Sequence, residues 1–269
     1  MKPKNPQTES AHIDQLQKYA KDFAEVYQSK KEKAKELHTA KQQLLKYADD
    51  LNQTIVELKT ANQELQESYL DTIHRLALAA EYKDEDTGDH IVRMSRYCAL
   101  IATKQGLTPM EVHDILYASP MHDIGKIGVP DNILMKPGKL TDEEFETMKT
   151  HTTIGAKILA HSKSEILKVA EQIALYHHEK WNGTGYPHGL SGDTIPLAAR
   201  IVAIADTFDA LTSKRPYKDP YPFEVAYDII KEERAQHFDP AIVDVFLENI
   251  DEILTIKQKN TFESQPFPA

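Results

Sequence analysis

Leu37, Leu44, Leu51, Leu58 and Leu65 recur at a strict spacing of seven. Carried backward, the register reaches Leu16 and Phe23 and is broken only by Lys30. The companion positions are Ile13, Ala20, Tyr27, Ala34, Lys41, Ala48, Ile55, Asn62 and Tyr69. Leucine at d with small or polar residues at a is a coiled-coil seam. Asn62 at an a position favours a parallel, two-stranded register. Residues 12–82 contain neither glycine nor proline, which predicts one long helix. The alternative, an amphipathic helix packed on its own domain, fits five evenly spaced leucines less well. The expectation is a parallel homodimer through residues 12–70, preceded by a polar, disordered stretch over 1–11.

Near residue 69 the pattern changes. "YLDTIHRLALAAEY" is too apolar for a two-stranded seam and reads as the first buried helix of a globular domain. Helical periodicity continues near 89–105, 109–118, 141–160, 164–178, 196–212, 222–235 and 240–254. Thr108 and Thr141 stand as N-caps ahead of acidic first turns. No segment alternates like a strand, and no repeat of 20–50 residues appears. The fold class expected is all-α: a long coiled-coil helix, then a helical bundle domain over 71–256 and a flexible tail over 257–269.

Composition narrows the function. The chain has 269 residues, 28% charged, with a net charge of -10. An acidic total argues against binding duplex DNA, which needs a basic surface. A local basic pocket for a small phosphorylated ligand is compatible with it. Cys98 is the single cysteine, so no internal disulfide forms, in keeping with a reducing cytoplasm. The first ten residues lack the apolar core of a signal peptide, and no run of about 18 apolar residues marks a membrane span.

The chemistry-bearing residues lie in the helical part. "HDIGK" contributes His122, Asp123 and Lys126. "DTGDH" places Asp86 and His90 four apart. "KTHTTIG" holds His151, "YHHE" holds His177 and His178, and "AIADTFDA" sets Asp206 and Asp209 in an apolar helix. Singly, each has an ordinary explanation: an imidazole satisfied in the core, or a carboxylate paired with an arginine such as Arg200. Adjacent histidines on a helix point about 100° apart. The pair is therefore expected to serve two metals, or two sides of one cluster. Five histidines with Asp123, Asp206 and Asp86 make a nitrogen and oxygen set suited to Fe, Mn, Co, Ni or Zn rather than Ca. A carboxylate can bridge two metals about 3.5–4 Å apart, the arrangement of many phosphoesterases.

"HDIGKIGVP", "HTTIGAKIL" and "YHHEKWNGTGYPHGLSGDTIPLAARIVAIADTFDALTSKRPYK" together resemble the HD-GYP family of cyclic dinucleotide phosphodiesterases, in the family's order and from about residue 72 to 254. The resemblance implies an HD-type helical bundle. It implies a metal centre of His90, His122, Asp123, His151, His177, His178 and Asp206, with Asp123 bridging. Asp86 stands where members with three metals carry an acid, usually Glu; the shorter Asp leaves two metals or three open. Iron or manganese is the metal implied. Lys126 matches the lysine that contacts the scissile phosphate. Arg215 and Lys218 match residues that grip the substrate's phosphates, and Tyr186 either stacks on a guanine or braces its loop. Asp209 is grouped with these substrate-facing residues, and Trp181 is taken as packing. The activity implied is opening of cyclic di-GMP to linear pGpG, with pGpG or GMP as the end product left open. Competing readings are another cyclic dinucleotide or nucleotide as substrate, and a non-catalytic nucleotide-binding signalling module. An upstream sensory or diguanylate cyclase partner would act through the coiled coil.

Overall fold

The computed structural model describes residues 6–83, 89–214 and 219–259. Its regular structure is helical; among the described residues there are no strands, only isolated bridges between Asn182 and Ser191 and between Arg234 and Phe238. The first helix, α1 (Pro6–Glu81), is 76 residues long. It covers the stretch free of glycine and proline, and it also takes in residues 6–11, which sequence had left loose. A proline in a first turn costs no intrahelical hydrogen bond.

The chain divides into two compact units, Met1–Gln66 and Glu67–Ala269. In the first unit the heptad leucines stand exposed along a single helix. In the second unit the end of α1 buries Leu70, Ile73, Ala77 and Ala80, one stripe of a helix at spacings of three and four. The other helices of this unit are α2 (Asp89–Lys104), α3 (Pro109–Ala118), α4 (Asp131–Leu134), α5 (Asp142–Leu159), α6 (Glu165–Tyr176), α7 (Leu197–Thr212), α8 (Phe223–Glu232), α9 (Pro240–Glu248) and α10 (Ile250–Lys259). Thr108 and Thr141 open α3 and α5 as capping boxes with Glu111 and Glu144. Helix α2 packs on α3 and α7, while α6 packs on α3, α5 and α7. Phe208 of α7 lies at the centre, its ring 5.8 Å from Tyr97 and 5.1 Å from Phe246. Fully burying a side chain of this size is worth about 1.5–3 kcal/mol.

Several boundaries differ from the periodicity. The helix expected over 240–254 breaks at Asn249, whose side-chain amide donates to the Val245 carbonyl at 2.8 Å while its own carbonyl receives the N–H groups of Glu252 and Ile253. Asparagine competes for backbone partners in this way and ends helices. Helix α8 stops at Glu232 rather than 235, because Ala235 has φ of 62°, in the left-handed region. Helix α10 runs to Lys259, past the expected start of the tail. Most consequential for the site, α6 ends at Tyr176 instead of 178.

Candidate metal centre

The segment between α3 and α4 is tight and irregular. A 3-10 turn at Ser119–Met121 delivers His122 and Asp123, and a second at Ile124–Gly128 carries Lys126. Gly125 lets this second turn lie directly on α5. A Cβ there would sit 1.8 Å from the His151 carbonyl oxygen and 2.5 Å from the Gly155 nitrogen. That backbone contact brings Asp123 to His151.

Two groups of potential ligand atoms result. Asp123, His151, His177 and His178 form one, and His90, His122 and Asp206 form the other, with the ligand atoms of each within 4.8 Å of one another. Asp123 faces both. Its Oδ1 lies 3.3 Å from His151 Nε2 and 3.6 Å from His177 Nε2, and its Oδ2 lies 3.3 Å from His122 Nε2. Lys126 Nζ is 2.9 Å from the same Oδ2. In the second group His90 Nε2 is 3.4 Å from Asp206 Oδ1. His177 and His178 fall in one group, where a helical pair was expected to diverge. They converge because α6 has already ended, so both rings leave a turn, with centroids 4.0 Å apart.

Three of the rings are aimed by their other nitrogen. His122 Nδ1 donates to the Ser119 carbonyl (3.1 Å), His151 Nδ1 to that of Met148 (2.8 Å) and His177 Nδ1 to that of Ile173 (3.0 Å). A carbonyl only accepts, so Nδ1 carries the proton and Nε2 presents a lone pair to the centre. His122 Nε2, His151 Nε2, His177 Nε2 and Asp123 Oδ1 are buried and have no hydrogen-bond partner. Buried lone pairs converging on a carboxylate repel unless a cation lies among them. The donor set therefore fits divalent transition metals.

Electrostatics agree. Burial alone would raise the Asp123 carboxyl, but Lys126 and His122 outweigh it and hold it well below the usual range. Burial pushes His151 down to about 4 and His178 well below its ordinary value, keeping both neutral and able to ligate. Burial also works against protonated His90, yet the carboxylates of Asp206 and Asp209 raise it. Their pull on a proton is the pull a metal cation would feel.

A sequence model of the HD domain matches residues 74–242. The chain belongs to the HD domain family. Its motif series is that of the HD-GYP branch. A cyclic di-GMP phosphodiesterase of Thermotoga maritima is 44% identical over 208 residues, 76% of this chain and 56% of that protein. A cyclic di-GMP phosphodiesterase response regulator of Xanthomonas campestris is 47% identical over 184 residues, covering 68% and 49%. A 3'3'-cGAMP-specific phosphodiesterase of Vibrio cholerae is 44% identical over 194 residues, covering 72% and 37%. The chain thus spans about half the length of these relatives or less. A solved cyclic GMP-AMP phosphodiesterase of V. cholerae shares the fold at a TM-score of 0.53 and 20% identity, covering 71% of this chain and 50% of its own.

Within this HD domain, Asp86, Arg215 and Lys218 lie outside the described residues. Asp209 is not where a substrate-facing residue would be. It is wholly buried behind His90, accepting from His90 Nδ1 (2.8 Å), doubly from Arg93 (2.8 Å each) and from Ser213 (3.2 Å). Its work is to orient His90; the apolar context of Asp209 hid Arg93, which lies 116 residues away in sequence. Arg200 leaves Asp206 alone and pairs with Asp193 and Asp239. Tyr186 does reach the centre, its ring stacked at 4.7 Å on His178. Trp181 instead lies under the Arg200 guanidinium at 5.6 Å, as packing would have it.

Sequence reading missed Glu179. Its buried carboxylate accepts the N–H groups of His188 (2.7 Å) and Leu190 (2.9 Å), folding the NGTGYP loop back on itself. Gly185 completes the fold, since a Cβ there would lie 2.3 Å from the Lys180 nitrogen. The only signal was an acid directly after the histidine pair. Glu179→Ala removes the charged acceptor of two partly buried N–H donors, at a cost of about 1–3 kcal/mol in all. We expect the fluorescence of the single tryptophan, Trp181, at the start of this loop, and loop proteolysis rates to change while metal content stays near that of the parent. A loop that kept its protease resistance would contradict this role for Glu179.

Proposed function

We propose that this chain is a metal-dependent phosphodiesterase that opens cyclic di-GMP to linear pGpG, the ratio of pGpG to GMP in the products showing how far it goes. One observation carries the reading: the carboxylate of Asp123 stands between two sets of inward-facing ligand atoms, with the ammonium of Lys126 beside it. His151, His177, His178 and Asp123 would hold one metal, and His90, His122, Asp206 and Asp123 the other, with iron or manganese suited to both. Bound there, such metals supply charge neutralisation at phosphate and an activated water. The chain's own residues do the rest. Lys126 Nζ offers N–H donors to a phosphate oxygen or the departing 3′-oxygen, where charge grows. Tyr186, stacked on His178, gives a flat face at the edge of the centre for a nucleobase. Asp209 and Arg93 keep His90 from rotating.

The test is hydrolysis of cyclic di-GMP by anaerobically purified protein, with iron and manganese counted in the same sample. We expect turnover with at least two metals per chain. A fully metallated sample without turnover on any cyclic dinucleotide would refute the proposal and favour a binding module. Turnover confined to 3'3'-cGAMP would support a second reading, favoured by the cGAMP-specific relative.

The exposed heptad leucines support a parallel homodimer through residues 12–70, the route by which an upstream sensory or cyclase partner would act. No described helix is long and apolar enough to cross a membrane, and the place of action we propose is the cytoplasm. Sedimentation should show a dimer for the full chain and a monomer for a chain starting at Glu67. A dimer in both would place the interface elsewhere.

A further inference from the structure

We infer that Lys83 is a positioning residue for Lys126: its ammonium clamps the carbonyl end of the short turn on which Lys126 rides. This rests on the hydrolytic reading above. Lys83 follows α1 directly, in a turn where its own N–H bonds to the Ala80 carbonyl. Its Nζ donates to the carbonyl oxygens of Lys126 (3.2 Å), Ile127 (3.0 Å) and Val129 (2.9 Å), and pairs with Asp131 at 3.2 Å. An ammonium has three N–H donors, and here three carbonyls of one short backbone stretch and the Asp131 carboxylate share them.

A cation is favourable at the carbonyl end of a helical turn, and here the Lys126 carbonyl receives both the Val129 N–H (3.1 Å) and the Lys83 ammonium. The turn Ile124–Gly128 has only five residues, so it has little of its own to resist tilting. It is held on one side by the contact of Gly125 with α5. At the other end Gly128 lies against Ile154 of α5, and Lys83 supplies the polar hold on the carbonyls there. A tilt of this turn moves two things together, the Lys126 side chain and its approach to Asp123 Oδ2, now 2.9 Å. His122 precedes the turn and is fixed separately by the Ser119 carbonyl, while Asp123 caps the turn at the end away from the clamp, next to the seat of Gly125 on α5. Loss of the clamp therefore strikes Lys126 before it strikes the metals.

The experiment is a cycle in the full-length, manganese-loaded protein: Lys83→Met, which keeps the aliphatic stem, Lys126→Met, and the double variant. Misplacement of a reacting group by about 1 Å costs up to about 10²-fold. We expect Lys83→Met to lower kcat and kcat/KM together, by about 10–100-fold, with manganese per chain unchanged. Lys83→Arg should recover most of the loss. The double variant should be no slower than Lys126→Met alone, since Lys83 acts through Lys126. The affinity of the same four proteins for inorganic phosphate, measured by calorimetry, should show the same non-additivity and needs no turnover. Multiplicative losses, or a loss of manganese that tracks kcat, would overturn the inference and leave Lys83 a structural tie. Parent protein inactive on every cyclic dinucleotide would refute the hydrolytic reading, and the phosphate cycle would still decide on Lys83.

Discussion

Asp123→Asn should abolish metal retention and lower hydrolysis by about 10³-fold or more. The substitution keeps shape and removes charge at the one side chain that faces both ligand groups. Its amide nitrogen would also donate toward histidine nitrogens, offering the buried lone pairs a partner other than a metal. A metal pair contributes several kcal/mol of charge stabilisation, and each 1.36 kcal/mol is tenfold in rate. The fold should survive, because Lys126 and the histidines keep hydrogen-bonding partners. The sharpest readout is thermal: manganese at about 100 times its dissociation constant stabilises the parent by about 2.7 kcal/mol. That gain should vanish in Asp123→Asn. A variant that still melted higher with manganese and kept turnover within tenfold would show that Asp123 is not the shared ligand.

Gly125→Ala should damage the protein almost as much, by a different route. The added methyl would sit 1.8 Å from the His151 carbonyl oxygen and 2.8 Å from its carbon. Both are backbone atoms, so no rotamer relieves the overlap. Either the turn retreats, carrying Asp123, or α5 retreats, carrying His151. Overpacking costs about 1–3 kcal/mol and at times more. For a unit of this size that is a fall in Tm of about 2–4 °C per kcal/mol. Metal content should fall with it. Gly155→Ala is the milder comparison at the same contact: its Cβ would meet the Ala174 methyl at 3.1 Å and the Gly125 nitrogen at 3.3 Å, so the neighbours need give by only a few tenths of an ångström. Equal melting temperatures for the two variants would mean that the turn is not seated on α5 as described.

Much of this was legible in sequence, for definable reasons. The heptad in α1 and the capping boxes at Thr108 and Thr141 are local patterns, and local patterns survive translation into helices. The ligand set was legible because metals demand particular side-chain types, which stand out in apolar surroundings such as those of Asp206. What escaped depends on proximity that spacing does not encode. The convergence of His177 and His178 follows from a helix ending two residues early. Asp209 reads in sequence as a substrate-facing acid, and only the fold closes Arg93 and His90 on it. Glu179 and Lys83 bind backbone groups, whose positions leave no residue-type signature.

The histidine Nδ1 contacts have an evolutionary consequence. Three of the rings are steered by main-chain carbonyls of their own helical turns, at Ser119, Met148 and Ile173. Point mutation changes side chains and leaves a carbonyl in place, so drift at those three positions does not disturb ligand aim. His90 alone among the four is steered by another side chain, Asp209. The centre is thus robust on one flank and brittle on the other. In a saturation library, tolerance should be broad at Met148 and Ile173 for residues that fit, and nearly absent at Asp209 and Arg93. Lineages of this fold that abandon catalysis have their shortest route through the Asp209 flank, with every ligand still in place.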